Sequence, residues 1–192
     1  MNKLTLVAAI TASLFSTTAI ADSMVSEKAV LETYANIAHA GYEDSLITAK
    51  NLEVAIKALV AAPSEASLNA AKTAWLAARV PYQQTETYRF GNAIVDDFEG
   101  KVNAWPLDEG LIDYVDASYG TESDENPFYT ANVIANKKLS VAGKMVDTSK
   151  ITKALLANTL QEADEVESNV APGYHALEYL LRGQDINGTK AG

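Results

Sequence analysis

The stretch that decides the fold is VSEKAVLETYANIAHAGYEDSLITAKNLEVAIKALVAA, residues 25–62. Apolar or small side chains recur in it at Leu31, Tyr34, Ala38, Tyr42, Ala49, Leu52, Ile56 and Leu59. Steps of three and four place them along one side of a 3.6-residue helix, so the spacing predicts one long amphipathic helix. Ala62-Pro63-Ser64 closes it, and Ser64 is placed to cap the next. Outward from there, Leu68, Ala71, Trp75, Ala78, Tyr82, Glu86 and Arg89 form the stripe of a second helix, which Pro81 is expected to kink. Between Phe90 and Pro127 the periodicity fails, and Gly91, Gly100, Pro106, Gly110 and Gly120 punctuate what reads as a long connection. Helical patterning resumes over Ser149 to Val166, with Thr148 or Ser149 as cap and Ile151, Leu155, Leu156 and Leu160 as the apolar face. A short helix follows Pro172-Gly173 and stops at Gly183. No segment alternates over several strands and no repeat recurs, so the expected fold class is all-α, a helix bundle.

The chain has 192 residues, no Cys, two His, and 15 Lys and Arg against 25 Asp and Glu, a net charge of −10. That balance argues against nucleic-acid partners, which need basic patches. The absence of Cys excludes disulfide frameworks, thiolate zinc sites, Cys-ligated iron–sulfur clusters and a lipidated N-terminal Cys. Any metal must use His, carboxylate, carbonyl or water, and two His cannot build a three-His zinc site. Residues 1–21 combine Lys3, an apolar run from Leu4 to Phe15 and the small ending Ala19-Ile20-Ala21, the pattern of a cleavable signal peptide. Thr5, Thr11, Ser13, Ser16, Thr17 and Thr18 break the run too often for it to span a bilayer. The expected organisation is a signal peptide over 1–21 and a helical domain over 22–192, exported to the periplasm or cell envelope with no membrane span after cleavage.

The residues that carry chemistry lie in Gly173-Tyr174-His175-Ala176-Leu177-Glu178-Tyr179-Leu180-Leu181-Arg182-Gly183-Gln184-Asp185. On a helix His175 and Glu178 share a face, about 5–6 Å apart at Cβ, while Tyr174, Leu177 and Leu181 point elsewhere and can anchor it. The pair can ligate a metal together, or the carboxylate can orient the ring and set its tautomer. It matches neither His-Glu-x-x-His nor its inverse, and di-iron bundles use Glu-x-x-His in the opposite order. His39 lies beside the stripe of the first helix, placed either for the core or for a site. Glu86 and Arg89 end the second stripe with charge. Asn103-Ala104-Trp105-Pro106-Leu107-Asp108-Glu109 either pins its loop to the core through Trp105 and Leu107, or aims Asp108 or Glu109 into a site.

The Gly173–Leu181 run with Gly183-Gln184-Asp185 resembles the Gly-x-His-x-x-Glu signature of the imelysin-like family, iron-regulated bacterial envelope proteins also classed with insulin-cleaving metallopeptidases. Three further stretches match in the same order: His39-Ala40-Gly41-Tyr42, Ala74 to Glu86 continuing to Arg89-Phe90, and Asn103 to Glu109. The resemblance implies two helical-bundle halves with a site in the cleft between them, and an association with iron uptake and its envelope partners. It makes His175 and Glu178 the metal pair, with His39, Glu86, Arg89, Asp108 and Asp185 as weaker candidates for the same cleft. Family members are much longer, so the expectation is a chain lacking the second bundle half. The leading functional expectation is binding of iron, of another divalent metal such as zinc, or of an iron-bearing ligand. The alternatives are a metallopeptidase using the same motif and a non-enzymatic interaction module.

Overall fold

The computed structural model describes residues 25–183; the expected signal peptide and Asp185 lie outside the described residues. The elements are α1 (Glu27–Ala61), α2 (Glu65–Gln84), α3 (Ala93–Val102), the strands β1 (Lys138–Val141) and β2 (Lys144–Asp147), α4 (Lys153–Leu155) and α5 (Tyr174–Arg182). The fold is mainly helical, as the periodicity predicts. The chain divides into two units between Ile37 and Ala38, within α1. In the described part of the first unit the helix starts with Ser26 Oγ accepting from the Ala29 N–H at 3.2 Å, and Leu31, Tyr34 and Ile37 are exposed.

The second unit holds two apolar cores. In the first, Leu52 of α1, Ala71, Trp75 and Ala78 of α2, and Tyr174 and Leu181 of α5 pack together, with Leu59, Tyr82 and Leu177 at the margin. α2 begins where Ser64 predicts: the Ser67 N–H donates to Ser64 Oγ at 3.1 Å and the Ser64 N–H to Ser67 Oγ at 3.0 Å. This reciprocal box satisfies two donors that the first helical turn would otherwise leave open. In the second core, Leu111, Phe128, Val133, Leu155, Leu160, Ala163 and Ala171 cluster, backed by Leu139, Val141 and Val146 of the strands. Backbone bonds from Asn132, Val133 and Ile134 to Gly110, Leu111 and Ile112 (2.8, 2.9 and 3.2 Å) tie the loops of this core together. Gly110 is required there, because a Cβ would stand 1.9 Å from the Tyr129 carbonyl oxygen.

Several expectations are corrected. The supposed connection after Phe90 contains α3, and Phe90 before it and Ile94 and Phe98 within it are exposed rather than buried. An antiparallel hairpin pairs Lys138 with Asp147 and Val141 with Lys144, turning through Ala142 and Gly143 at φ 48° and 71°, the left-handed pair of a tight hairpin. The helix expected from Ser149 starts later, capped by Thr152 Oγ1, which accepts from the Leu155 N–H at 3.2 Å. After Leu155 it widens into a π turn over Leu156–Leu160 and breaks where Glu162, Asp164 and Glu165 take positive φ. Thr148 is buried and donates to the Asn136 carbonyl at 2.5 Å, so it is not a cap. Trp105 does not pin its loop to the core, being 67% exposed.

Candidate functional site

α5 is set in place before its chemistry begins. Gly173 adopts φ +96°, and a Cβ there would stand 2.7 Å from the Val102 carbonyl oxygen at the end of α3. Only glycine permits both the backbone conformation and that approach, which accounts physically for the first residue of the Gly-x-His-x-x-Glu run. The Trp75 indole N–H donates to the Tyr174 carbonyl at 2.9 Å, fixing the helix start against α2. The Tyr174 ring lies 5.1 Å from that of Tyr82. The Arg79 guanidinium sits 5.9, 5.8 and 5.1 Å from the ring centroids of Trp75, Tyr82 and Tyr174, where ring faces attract a cation, and it donates to Asn103 Oδ1. At the far end Arg182 lies over the Trp75 ring at 5.7 Å.

With Tyr174, Leu177 and Leu181 committed to the core, His175 and Glu178 share the other face. His175 Nδ1 and Glu178 Oε2 are 3.1 Å apart, the side chains 16% and 37% exposed. A carboxylate only accepts, so the ring donates from Nδ1, and in the neutral ring Nε2 keeps the lone pair. The Trp105 ring packs on the imidazole with centroids 4.8 Å apart and planes at 53°. These groups line a pocket of about 260 Å³ with Leu107, Glu109, Tyr179 and Arg182. Tyr179 donates to the Tyr114 carbonyl at 2.5 Å. Burial, reinforced by Asp113 and Glu109, pushes its phenol up to about 12, so at neutral pH it is a donor.

The other candidates separate. Glu109 reaches the pocket, whereas Asp108 does not serve it: Asp108 Oδ2 accepts from Asn126 Nδ2 at 2.5 Å and Ser168 Oγ at 2.7 Å. Asn126 in turn donates to Asn169 at 2.8 Å, so Asp108 clamps the Trp105–Glu109 loop to the 168–169 loop. Glu86 and Arg89 form their own cluster, Arg89 pairing with Glu86, Asp96 and Glu99 at 2.7, 3.1 and 3.3 Å. His39 is exposed rather than in the core, and none of these three lines the His175 pocket. Tyr179 and Arg182 are the site residues that the sequence reading passed over. Their signal was present, since each stands four residues after His175 or Glu178 and so falls on the same helical face.

Metal chemistry can be tested against this donor set. Among the described residues no group of three or more His, Asp or Glu side chains is arranged to hold a metal ion. The carboxylates Glu99, Glu162 and Glu167 around a neighbouring hollow of about 560 Å³ are included in that statement. The site offers one free imidazole nitrogen, a carboxylate engaged in orienting it, and Glu109. That is short of the three protein ligands a zinc enzyme uses, but it suffices for one bond to a metal that brings ligands of its own.

A curated relative, "Iron-regulated protein A" of Synechococcus elongatus, is 32% identical over 101 residues, covering 52% of this chain and 28% of that protein. The alignment thus spans under a third of the relative's length. The imelysin model (peptidase M75) matches residues 38–192, which include α2 to α5 and the whole His175 pocket, and the chain belongs to the imelysin family.

Proposed function

We propose that this chain is an iron-associated imelysin-family protein of the cell envelope that binds a compact iron-bearing ligand at His175. The observation that carries the reading is the His175–Glu178 hydrogen bond. It engages Nδ1 with one carboxylate oxygen, Oε2, and leaves Nε2 as an oriented donor, the arrangement by which carboxylates prepare metal-binding histidines. One donor does not hold a bare ion against water, but it can complete the coordination of iron already chelated by oxygen ligands. At about 260 Å³ the pocket falls just below the roughly 300–1,000 Å³ usual for drug-sized ligands, so it suits a small chelate rather than a macrocycle. Trp105 offers an apolar wall, and Arg182 is the cationic residue of the lining. The envelope location rests on the pattern of residues 1–21. A metallopeptidase would require three protein ligands, and no group of three is arranged to hold a metal ion among the described residues.

The test is titration with ferric citrate, followed by calorimetry and by quenching of Trp105 emission. Wild type should bind saturably at one equivalent, His175→Ala should lose binding, and Glu178→Gln should weaken it by about 10–100-fold, as loss of an orienting carboxylate does. Equal affinity in wild type and His175→Ala, or zinc or ferrous salts binding more tightly than the chelate, would sink the proposal.

A further inference from the structure

The face of α5 opposite His175 carries a second feature. Between α1, the end of α3 and α5 runs an apolar groove of about 460 Å³ lined by Ala49, Leu52, Ile56, Val102, Tyr174 and Leu177. Its volume falls within the range of sites that take one small organic ligand, and its lining is of the kind such sites use: a mostly apolar wall with a few polar groups at the mouth. Those polar groups are Glu53, Lys57 and Lys101. Lys57 is held by Glu53 at 2.6 Å. Lys101 has no carboxylate within ion-pair distance among the described residues. The mouth of the groove is therefore net positive on a chain whose net charge is −10.

We infer that this groove binds a single-chain fatty carboxylate, its alkyl chain along Leu52, Ile56, Val102 and Leu177 and its carboxylate at Lys101. Each part of the ligand is matched by a part of the groove. The apolar lining rewards a hydrocarbon at about 0.8 kcal/mol per buried methylene. The free ammonium selects an anionic head over a cationic one. The volume accommodates one chain and not the two of a phospholipid. The site is independent of the His175 pocket, since no residue lines both, yet Tyr174 and Leu177 form its floor and belong to the helix that carries His175.

The experiment is calorimetric titration of the full chain with sodium dodecanoate below its micellar range, beside dodecyltrimethylammonium as a cation of equal chain length. Dodecanoate should bind saturably at one equivalent and at least about fivefold more tightly than the ammonium compound. Lys101→Met should erase that preference, by about fivefold as befits an exposed charge, and being a surface change it should leave the circular dichroism and urea midpoint unaltered. Ile56→Trp, which fills the groove, should weaken dodecanoate at least about tenfold. Absent or non-saturable binding, equal affinity for the two amphiphiles, or full affinity in Ile56→Trp would overturn the inference. So would light scattering that shows a dimer disrupted by Ile56→Trp, because the groove would then seat a second copy. His175→Ala should bind dodecanoate as wild type does, which separates failure here from failure of the ferric citrate reading.

Discussion

Replacing Gly173 by Ala tests the placement of the site helix directly. Two costs add. The backbone stands at φ +96° and ψ −175°, a region open essentially to glycine alone, and holding another residue there costs about 1–3 kcal/mol. The new Cβ would also meet the Val102 carbonyl oxygen at 2.7 Å, its carbon at 2.9 Å and the Lys101 carbonyl oxygen at 3.0 Å. All three are backbone atoms, so no side chain can swing aside; the end of α3 and the start of α5 must part. Together the expected loss is about 3–5 kcal/mol, a large fraction of the 5–15 kcal/mol typical of a domain. In thermal melts that corresponds to a fall of roughly 6–20 °C for a unit of this size. Urea denaturation gives the free energy, and Gly143→Ala is the control. Gly143 also has positive φ, +71°, but nothing lies within 4 Å of its Cβ position, so the hairpin turn should lose only about 1 kcal/mol. Equal losses at the two glycines would refute the close approach as the reason for Gly173.

Three further outcomes are expected. Asp108→Ala should cost about 2–4 kcal/mol in urea, because Asn126 and Ser168 each lose a bond to a charged acceptor; a loss under about 1 kcal/mol with ferric citrate binding abolished would instead make Asp108 part of the site. Ser45→Ala should leave stability unchanged or raise it by about 1 kcal/mol, since Ser45 Oγ is buried with no hydrogen-bond partner among the described residues and Ala is the better helix former; marked destabilisation would reveal a partner. At alkaline pH, burial above all holds both Tyr82 and Tyr179 up at about 12, against 10.0 unperturbed. The folded state keeps protons that the unfolded chain releases, so the stability from neutral phenols is whole below pH 10 and is lost as pH rises from 10 through about 12. Absorbance at 295 nm should show three of the nine tyrosines ionising late, because burial raises Tyr174 as well, and Tyr82→Phe and Tyr179→Phe should each remove one late step. Ionisation of all tyrosines near pH 10 in a chain still folded by circular dichroism would contradict it.

How far the sequence could be read followed from which side chains are buried. α5 was legible because Tyr174, Leu177 and Leu181 form its core-facing side, so the pair His175 and Glu178 on the other side stands out by subtraction. The start of α2 was legible because a serine cap is a local device that needs no tertiary partner. α3 was not: Phe90, Ile94 and Phe98 do fall four residues apart, but they are exposed, Gly100 lies inside the helix, and Asn92 makes no capping bond. α4 misled because Leu155 and Leu160 are both buried at a spacing of five, which a π turn aligns and an α-helix does not. The strands span only four residues each, too few for alternation to rise above chance. Within the site, Trp105 was hidden by its own position. It is largely exposed and far from His175 in the chain, so nothing local marks the two rings as neighbours.

That last point explains why the site needs the Asp108 clamp. The imidazole is oriented on one side by Glu178, a helical neighbour whose placement follows from three-residue spacing alone. On the other side it meets Trp105, on a loop with no regular structure of its own. A helix presents its side chains at fixed angles, but a loop holds an exposed indole against a ring only if its backbone is tied down elsewhere. Asp108, three residues on, does this through Asn126 and Ser168, and the Asp108 N–H adds a bond to the Ser168 carbonyl at 2.8 Å. An acid in a candidate site run thus acts on the site through position rather than contact. The same division applies to the motif: Gly173 and Tyr174 place the helix, Glu178 orients the ring through Oε2, and His175 turns its Nε2 to the ligand.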